Sequence, residues 1–253
     1  MPQIPVALQL YTVREDAARD FVGTLEKVAA IGYRAVELAG YGPMSVPELR
    51  ATLDRLGVTV AGSHVALARL ESELKNVIAE CQALNCSYVV CPVLPAERRN
   101  EAGFRALAPQ LNDSGTQVKS AGLTLCYHNH AFEFETQIDG MYAYDWLMAN
   151  TDPTLVRIEI DAYWVQKAGL DPAASIERYA GRIPLVHLKD MTRDAEQTFA
   201  PVGTGSVDFA PIFAAAERGG AAWYIVEQDR AVGSAVDAAR TSFENLRAMG
   251  KLS

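Results

Sequence analysis

Short apolar runs alternate with longer amphipathic segments along the whole chain, and this alternation predicts its secondary structure. Between the runs, apolar residues recur at three- and four-residue spacing, as in Phe21, Leu25 and Val28, which is typical of helices packed on one face. The runs themselves have the length and content of buried strands. In chain order they are Val6–Leu10, Ala35–Leu38, Val58–Ala61, Tyr88–Cys91, Thr124–Tyr127, Val156–Ile160, Pro184–Leu188 and Trp223–Val226.

Eight strand and helix units favour a closed barrel. Eight parallel strands, each followed by a helix, form a (β/α)8 TIM barrel. A doubly wound open sheet is the competing fold and would carry a glycine-rich loop after its first strand, but residues 9–14 contain no glycine. Glycines that suit the turn from a helix into the next strand precede several runs: Gly32, Gly57, Gly122, Gly181 and the pair Gly219 and Gly220. We therefore predict one α/β TIM-barrel domain over residues 1–253.

Polar residues of catalytic and metal-binding types lie at or near the carboxyl ends of the predicted strands. In a parallel barrel the carboxyl ends of the strands form the functional face, so residues in this position are expected to lie together. All four histidines of the chain are among them. The full set comprises Gln9, Tyr11, Glu37, His64, Cys91, His128, His130, Asp161, His187, Lys189, Glu227, Gln228 and Asp229.

Asp161, His187 and Glu227 end the sixth, seventh and eighth predicted strands, which are neighbours in the ring. Two carboxylates and one imidazole suit an octahedral Mn²⁺ or Mg²⁺ ion, with Co²⁺ or Zn²⁺ as alternatives. Because an unpaired carboxylate beside an apolar strand is costly to bury, we interpret Asp161 and Glu227 as metal ligands. A fourth ligand is expected from the fifth strand or the loop beyond it. The favoured residue and its two alternatives are, in that order, Glu133, Glu135 and His128.

Other polar features have simpler interpretations. Asp171 and Asp208 are typical helix starts, and Asp190 and Asp229 are expected to be loop charges. The Gly-Thr-Gly-Ser segment at residues 203–206 follows the seventh strand, where barrels often bind phosphate. It predicts either a phosphate cradle or a flexible loop that closes over the site.

Composition narrows the partners. The 253 residues are 49% hydrophobic, which is enough for a large core, and the formal net charge of −8 argues against nucleic acid binding. Residues 1–6 show no basic segment that leads into a long apolar segment, and no run of about 18 apolar residues occurs, so we expect a cytoplasmic protein without membrane contact. A homo-oligomer is compatible with the sequence. Without C-x-x-C spacing, four cysteines are expected to be buried free thiols: Cys81, Cys86, Cys91 and Cys126.

Five segments carry a family resemblance: YHNHAFEF at residues 127–134, DAYWV at 161–165, HLKDM at 187–191, VGTGSVDF at 202–209 and WYIVEQD at 223–229. Through them the chain resembles the sugar isomerase and epimerase superfamily of xylose-isomerase-like barrels. This superfamily includes inosose dehydratases and endonuclease-IV-type enzymes. The endonuclease branch uses three zinc ions and many more histidines, so we set it aside.

The resemblance implies one divalent ion held by a Glu, Asp, His, Glu set. Its last three members correspond to Asp161, His187 and Glu227. Ketose epimerases place the first Glu inside strand five, where a rough alignment puts Cys126. This departure argues against the ketose 3-epimerase mechanism, in which that Glu is also an acid/base. The chain is more similar to a subgroup with a His-Asn-His sequence, in which Glu133 is expected to replace that Glu as the first metal ligand.

A divalent ion beside a sugar carbonyl stabilises the enediolate that forms when a neighbouring C–H proton is removed. The fate of that proton, or the loss of a group at the β-carbon, separates epimerisation, isomerisation and elimination. The acid/base candidates are Glu227, Glu133, His64, His130 and Lys189. The residues expected to contact the sugar are Gln9, Tyr11, His128 and Trp164.

Three functions remain in order of preference. The first is a metal-dependent isomerase or epimerase that acts on a sugar or keto-sugar by proton abstraction next to the carbonyl. The second is a metal-dependent lyase or dehydratase on a keto-sugar, keto-glycoside or keto-inositol, which Cys126 and the histidine-rich exit of strand five favour. The third is a non-catalytic sugar-binding barrel, against which intact Asp161, His187 and Glu227 argue.

Overall fold

The computed structural model describes residues 3–252, and its central feature is a closed barrel of eight parallel strands. Each strand pairs with the next one along the chain, and the eighth pairs with the first. The predicted TIM barrel is confirmed. The barrel strands are β1 (Val6–Gln9), β2 (Ala35–Leu38), β3 (Thr59–His64), β4 (Tyr88–Cys91), β5 (Thr124–His128), β6 (Val156–Asp161), β7 (Leu185–Leu188) and β8 (Trp223–Val226).

Helices surround the barrel and two short hairpins interrupt the loops at its carboxyl end. One hairpin pairs Gln137–Ile138 with Met141–Tyr142, and the other pairs Asp190–Met191 with Phe199–Ala200. Short 3₁₀ turns occupy Leu10–Val13 and Ala96–Arg98. The α-helices are α1 (Arg14–Arg19), α2 (Phe21–Ile31), α3 (Val46–Leu56), α4 (Leu67–Ser72), α5 (Leu74–Ala83), α6 (Glu101–Ser120), α7 (Phe132–Glu135), α8 (Ala143–Ala149), α9 (Ala162–Lys167), α10 (Pro172–Arg178), α11 (Phe209–Gly219) and α12 (Ala235–Ala248).

Aspartate side chains begin two of these helices, as predicted. The carboxylate of Asp171 accepts hydrogen bonds from the backbone N–H groups of the first turn of α10, at 2.8 and 3.3 Å. Asp208 accepts one from the first turn of α11, at 3.2 Å. Each bond satisfies a donor that has no partner inside the helix.

Two layers of different character fill the barrel. The lower layer is apolar and is made of Ala7, Ala35, Ala61, Val90, Cys126, Leu185 and Ile225. Side chains two residues apart on a strand point to the same side, so the next interior position lies nearer the carboxyl end. On five strands this upper position is polar, and it is occupied by Gln9, Glu37, His128, His187 and Glu227.

This layering corrects the position of Cys126. The rough alignment placed it where ketose epimerases have their first Glu, but Cys126 belongs to the apolar layer. His128, two residues further along β5, reaches the polar layer instead. All four cysteines are buried and unbridged, as predicted. No helix within residues 3–252 combines the length and the apolar content that a membrane span requires.

Strand β3 differs most from its prediction, because it ends at His64 rather than Ala61. Gly62 and Ser63 look like turn residues in the sequence. A β-carbon added at Gly62 would come within 2.5 Å of Glu37 Oε1, so the glycine makes room for the buried carboxylate on the neighbouring strand. The pairing of β2 with β3 also shifts register between Val36 and Glu37. The extension carries His64 to the polar end of the barrel.

Candidate metal centre

The four side chains His128, Asp161, His187 and Glu227 lie together at the carboxyl end of the barrel. Each offers one ligand atom, and these atoms all lie within 4.8 Å of one another. His187 Nδ1 lies 3.0 Å from Glu227 Oε2, and His128 Nε2 lies 3.8 Å from Asp161 Oδ2. Ligands at right angles around one ion, at bond lengths of about 2.1 Å, are separated by about 3 Å. We call these four residues the ligand group.

Two further carboxylates lie beneath the ligand group and hold its imidazoles. Glu159 Oε2 is 2.9 Å from His128 Nδ1, and Glu37 Oε2 is 2.8 Å from His187 Nε2. Each ring can therefore donate its N–H to a carboxylate and keep its other nitrogen for an ion. Such carboxylate partners set the tautomer and orientation of metal-binding histidines.

His64 and Gln9 complete this supporting layer. His64 Nε2 lies 2.7 Å from Glu159 Oε2 and 3.1 Å from Glu37 Oε2, and the His64 ring stacks 5.6 Å from that of His187. Gln9 Nε2 donates to Glu37 Oε2 at 2.7 Å. A second set of ligand-type atoms within 4.8 Å of one another consists of His64, His128, Glu159 and His187. It shares two rings with the ligand group, and each ring directs a different nitrogen to each set.

Lys189 joins three carboxylates at the edge of the ligand group. Its Nζ lies 3.0 Å from Asp161 Oδ2, 2.9 Å from Glu227 Oε2 and 2.7 Å from Asp229 Oδ1. Burial opposes the charged form, but the attraction of these carboxylates raises the pKa of Lys189 well above its usual range. The side chain is therefore an ammonium ion, suited to stabilising negative charge rather than to accepting a proton.

Burial and neighbouring charges shift the pKa values of this cluster in different directions. Burial lowers the pKa of His64, but Glu37 and Glu159 outweigh it and raise the pKa to about 10. Burial and the charge of Glu37 raise the pKa of Glu159, but the nearby imidazoles lower it to about 2. Burial, reinforced by Lys189, lowers the pKa of His130 to about 3. At neutral pH the His64 ring is therefore protonated and positively charged, whereas the His130 ring is neutral.

Buried oxygen atoms without a hydrogen-bond partner test whether a cation fits this site. Within the described residues, Asp161 Oδ2 of the ligand group is such an atom, and its contacts are ion pairs with Lys189 Nζ at 3.0 Å and His128 Nε2 at 3.8 Å. Buried carboxylate oxygens without partners are costly. Carboxylates and imidazoles are also the ligands that divalent cations accept. The residues present therefore fit a divalent cation.

Glu133, predicted as the fourth ligand, is not brought into the ligand group. Its Oε1 accepts a hydrogen bond from the Tyr127 hydroxyl at 2.9 Å, and its Oε2 accepts one from the His130 backbone N–H at 2.8 Å. The short helix α7 turns Glu133 into the protein, where burial raises its pKa to about 7. Glu135, the first alternative, is exposed. His128, the second alternative, is the fifth-strand residue that reaches the group.

A cavity of about 460 Å³ opens above the ligand group. Most of the predicted catalytic and substrate residues line it, namely Tyr11, His64, His128, His130, Lys189 and Glu227. Gln9 is fully buried beside Glu37, to which it donates a hydrogen bond, and so supports the centre. Trp164 packs against the His130 ring, with 5.2 Å between ring centroids.

Glu159 is the site residue that the sequence reasoning missed. It lies two residues before Asp161 in an otherwise apolar strand, so both side chains point to the same side of β6. A charged residue at this spacing was the available signal. Glu159 is fully buried, and the three imidazoles around its Oε2 atom compensate its negative charge.

Asp190 is a fully buried hydrogen-bond acceptor, so its interpretation as a loop charge is wrong. Its Oδ2 accepts from the backbone N–H groups of Gly203 and Gly205, at 2.9 and 2.8 Å. Its Oδ1 accepts from those of Met191 and Val207, at 2.7 and 3.0 Å. Because the N–H groups of the glycine loop are engaged in this way, the phosphate-cradle interpretation of residues 203–206 is also wrong.

A closed parallel barrel with carboxylates and imidazoles at its carboxyl end is typical of barrel enzymes that bind a divalent cation. The family model described as xylose isomerase-like TIM barrel matches residues 25–249, and the chain belongs to this family.

Two similar proteins are both named inosose dehydratase. The inosose dehydratase of Geobacillus kaustophilus is 32% identical, and the match covers 82% of this chain and 80% of that protein. The inosose dehydratase of Clostridium beijerinckii is 26% identical over 83% of this chain and 82% of that protein. These relatives are enzymes, and a dehydratase is a lyase.

Solved structures show the same fold at lower identity. A sugar phosphate isomerase/epimerase from Parabacteroides distasonis is 24% identical, with a TM-score of 0.84 and coverage of 100% of this chain and 96% of that one. The IolI protein, solved with a bound zinc atom, is 16% identical, with a TM-score of 0.75 and coverage of 98% and 99%. At these identities the likeness establishes the fold alone.

Proposed function

We propose that this protein is a divalent-cation-dependent lyase that removes a proton next to a sugar or polyol carbonyl and expels the group on the β-carbon. The observation that carries the proposal is the fourth side chain of the ligand group, which is His128 rather than a carboxylate. Ketose epimerisation uses an acid/base on each side of the reacting carbon. Here Glu227 is the one carboxylate of the ligand group that lines the cavity, and elimination requires only one such base.

In this proposal the ion is held by His128 Nε2, Asp161 Oδ2, His187 Nδ1 and Glu227 Oε2. Two carboxylates and two imidazoles suit Mn²⁺ better than Mg²⁺, with Co²⁺ and Zn²⁺ as alternatives. The bound cation supplies Lewis-acid polarisation of the substrate carbonyl. Glu37 and Glu159 orient the two rings from below, as second partners of metal-binding histidines do.

Two side chains are assigned the proton transfers, and a third is assigned the stabilisation of charge. Glu227 lines the cavity, and its Oε1 makes no hydrogen bond within the described residues, so we assign it the role of base. His64 also lines the cavity, and its raised pKa keeps it protonated, so it can donate a proton to the departing oxygen. The Lys189 ammonium stabilises the negative charge that develops between these steps.

An isomerase or epimerase is the second candidate. His130 lines the same cavity and offers an additional group for returning a proton to carbon. The superfamily that the chain resembles includes isomerases and epimerases. The fold of this barrel also matches that of the sugar phosphate isomerase/epimerase from Parabacteroides distasonis. Both candidate functions are compatible with the predicted cytoplasmic location and with the formation of a homo-oligomer.

Incubation of the Mn²⁺-loaded protein with keto-sugars and keto-inositols in D₂O separates the candidates by mass spectrometry. A lyase yields products that have lost water or an alcohol, and Glu227→Gln abolishes this loss. Deuterium incorporation beside the carbonyl without loss of a group would replace the proposal with an isomerase or epimerase. Absence of both over a broad panel would favour a sugar-binding barrel.

A further inference from the structure

We propose that the substrate is an unphosphorylated keto-glycoside whose leaving group is an apolar alcohol or phenol. This inference rests on the proposed elimination and names the substrate class for the same site. It follows from the way polar and apolar side chains divide the cavity above the ligand group.

The cavity has a polar side and an apolar side. Its polar side carries His128 and His130 after β5, Lys189 after β7, and Glu227 and Asp229 after β8. The loops after β3 and β4 face Lys189, Glu227 and Asp229 across the ring, because these strands lie on the other side of the barrel from β7 and β8. These loops contribute what we call the apolar wall, which consists of residues 66–68, Pro92, Val93 and Pro95.

The apolar wall has no side chain that can form a hydrogen bond. Residues 66–68 are alanine, leucine and alanine, and the two prolines also lack a backbone N–H. An inositol ring carries an oxygen on every carbon, so one of its edges would meet this wall without partners. Burying unpartnered hydroxyl groups is unfavourable, whereas an apolar group gains free energy on the same surface. The wall therefore favours a substrate with an apolar part.

The cavity is also unsuited to a phosphate group. Lys189 is the one lysine or arginine among its lining residues within the described chain, and its ammonium already contacts three carboxylates within 3.0 Å. Arg14 donates to the Asp229 backbone carbonyl at 2.7 Å, and its guanidinium stacks on Tyr11 at 4.1 Å. Glu227 and Asp229 add negative charge to the lining. A dianionic group would be repelled here.

His64 links the two sides of the cavity and sets the orientation of the substrate. It ends β3, two residues before the apolar wall, and its Nε2 contacts the carboxylates that support the ligand group. A sugar whose carbonyl lies at the ligand group and whose leaving oxygen lies at His64 directs the atoms beyond that oxygen onto the apolar wall. Tyr11, with 44% of its surface exposed, lies at the same cavity. The group in this position is the aglycone.

The elimination of such an aglycone needs no other reactant. The C–H bond beside the carbonyl breaks, the proton passes to Glu227, and the electron pair forms a double bond to the β-carbon. The C–O bond at the β-carbon breaks, and its electron pair leaves with the aglycone oxygen, which takes a proton from His64. The products are an unsaturated ketone and a free alcohol or phenol.

Binding of unreactive glycosides tests the inference separately from catalysis. Phenyl glucoside, methyl glucoside, myo-inositol and glucose 6-phosphate lack the ketone and therefore do not eliminate. In titration calorimetry with the Mn²⁺-loaded protein, we expect phenyl glucoside to bind at least tenfold more tightly than methyl glucoside, and the other two more weakly than either. Equal binding of the two glucosides, or tighter binding of myo-inositol or glucose 6-phosphate, would overturn the inference.

A matched pair of variants locates the phenyl site. Ala68 is exposed and lies in the first turn of α4, where an aspartate is favourable for the helix. Ala68→Asp is expected to reduce the preference for phenyl over methyl glucoside at least fivefold. The control is Val232→Asp, at a fully exposed valine outside the cavity lining, which leaves both affinities unchanged. An unaltered preference in Ala68→Asp would contradict the assignment of the apolar wall.

Turnover of the keto form of phenyl glucoside, followed by phenol absorbance, separates this inference from the proposed function. Tight phenyl binding without phenol release would refute the elimination and leave the apolar wall as the binding site for an apolar group. Phenol release without a phenyl preference in binding would refute the inference and leave the elimination intact.

Discussion

Replacing Glu159 with glutamine removes the charge beneath the ligand group while keeping the size of the side chain. Glu159 Oε2 lies 2.7 Å from His64 Nε2, 2.9 Å from His128 Nδ1 and 3.2 Å from His187 Nε2. Glutamine keeps one acceptor oxygen but loses the negative charge that attracts these rings. His128 and His187 then lose the carboxylate that holds their orientation toward an ion.

The expected magnitude follows from the charges around Glu159. Its pKa falls from 4.5 to about 2 despite burial and the repulsion of Glu37, because the neighbouring imidazoles attract the carboxylate. A shift of this size corresponds to about 3 kcal/mol of net attraction. If roughly half of it is exerted on the two metal-binding rings, cation binding weakens by about 1.5 kcal/mol, or roughly tenfold. Lost carboxylate partners of metal-binding histidines typically reduce affinity about 10- to 100-fold.

Titration calorimetry of chelator-treated protein with Mn²⁺ measures this effect, and circular dichroism checks that the variant is folded. Glu135→Gln is the matched control, because Glu135 is an exposed glutamate at the end of α7. We expect Glu159→Gln to bind Mn²⁺ at least tenfold more weakly and Glu135→Gln to bind like the wild type. Wild-type affinity in Glu159→Gln would refute the supporting role of this carboxylate.

Substitutions at three further residues have expected outcomes. Glu133→Gln binds Mn²⁺ like the wild type in calorimetry, because Glu133 lies outside the ligand group. Burial raises the pKa of Glu133 from 4.5 to about 7, so the folded state holds this proton more tightly than the unfolded state does. The stability of the wild type relative to Glu133→Gln therefore falls by about 3 kcal/mol between pH 4.5 and pH 7. Urea unfolding at a series of pH values measures this difference. Lys189→Met removes a positive charge next to Asp161 and Glu227, and in calorimetry it binds Mn²⁺ about tenfold more tightly. Asp190→Ala leaves four backbone N–H groups without their acceptor and lowers the free energy of unfolding in urea by about 2 to 4 kcal/mol.

Each of these outcomes has a result that would contradict it. Loss of Mn²⁺ binding in Glu133→Gln would restore Glu133 as a ligand, and a pH-independent stability difference would show that its carboxyl has an ordinary pKa. Weaker Mn²⁺ binding in Lys189→Met would mean that the ammonium organises the ligand group rather than opposing the cation. Wild-type stability in Asp190→Ala would show that the glycine loop does not depend on this carboxylate.

The barrel could be predicted from the sequence because its strands are buried and their apolar runs are uninterrupted. The alternation of interior positions explains why Asp161, His187 and Glu227 were found at its end, since each follows an apolar run directly. The end of β3 could not be predicted in the same way. Gly62 lies inside the strand, where its lack of a side chain makes room for the buried side chain of Glu37. This contact joins residues far apart in sequence, so the local sequence pattern does not reveal it.

The choice between Glu133 and His128 depends on a turn that the sequence pattern does not reveal. Both residues lie in the same histidine-rich segment, and either one suits a cation. Helix α7 directs Glu133 toward Tyr127, whereas β5 carries His128 one residue beyond its predicted end, into the polar layer. Glu159 could not be predicted from the ends of the strands, because its charge lies two residues inside β6.

The single cation site is tested most directly by diffraction from Mn²⁺-soaked crystals, measured for anomalous scattering. We expect one strong peak, within bonding distance of each member of the ligand group: His128, Asp161, His187 and Glu227. Glu37 and Glu159 should contact the rings and not the ion. Absence of a peak at this position, or a peak bound by Glu133 or lying between His64 and Glu159, would contradict the proposed centre.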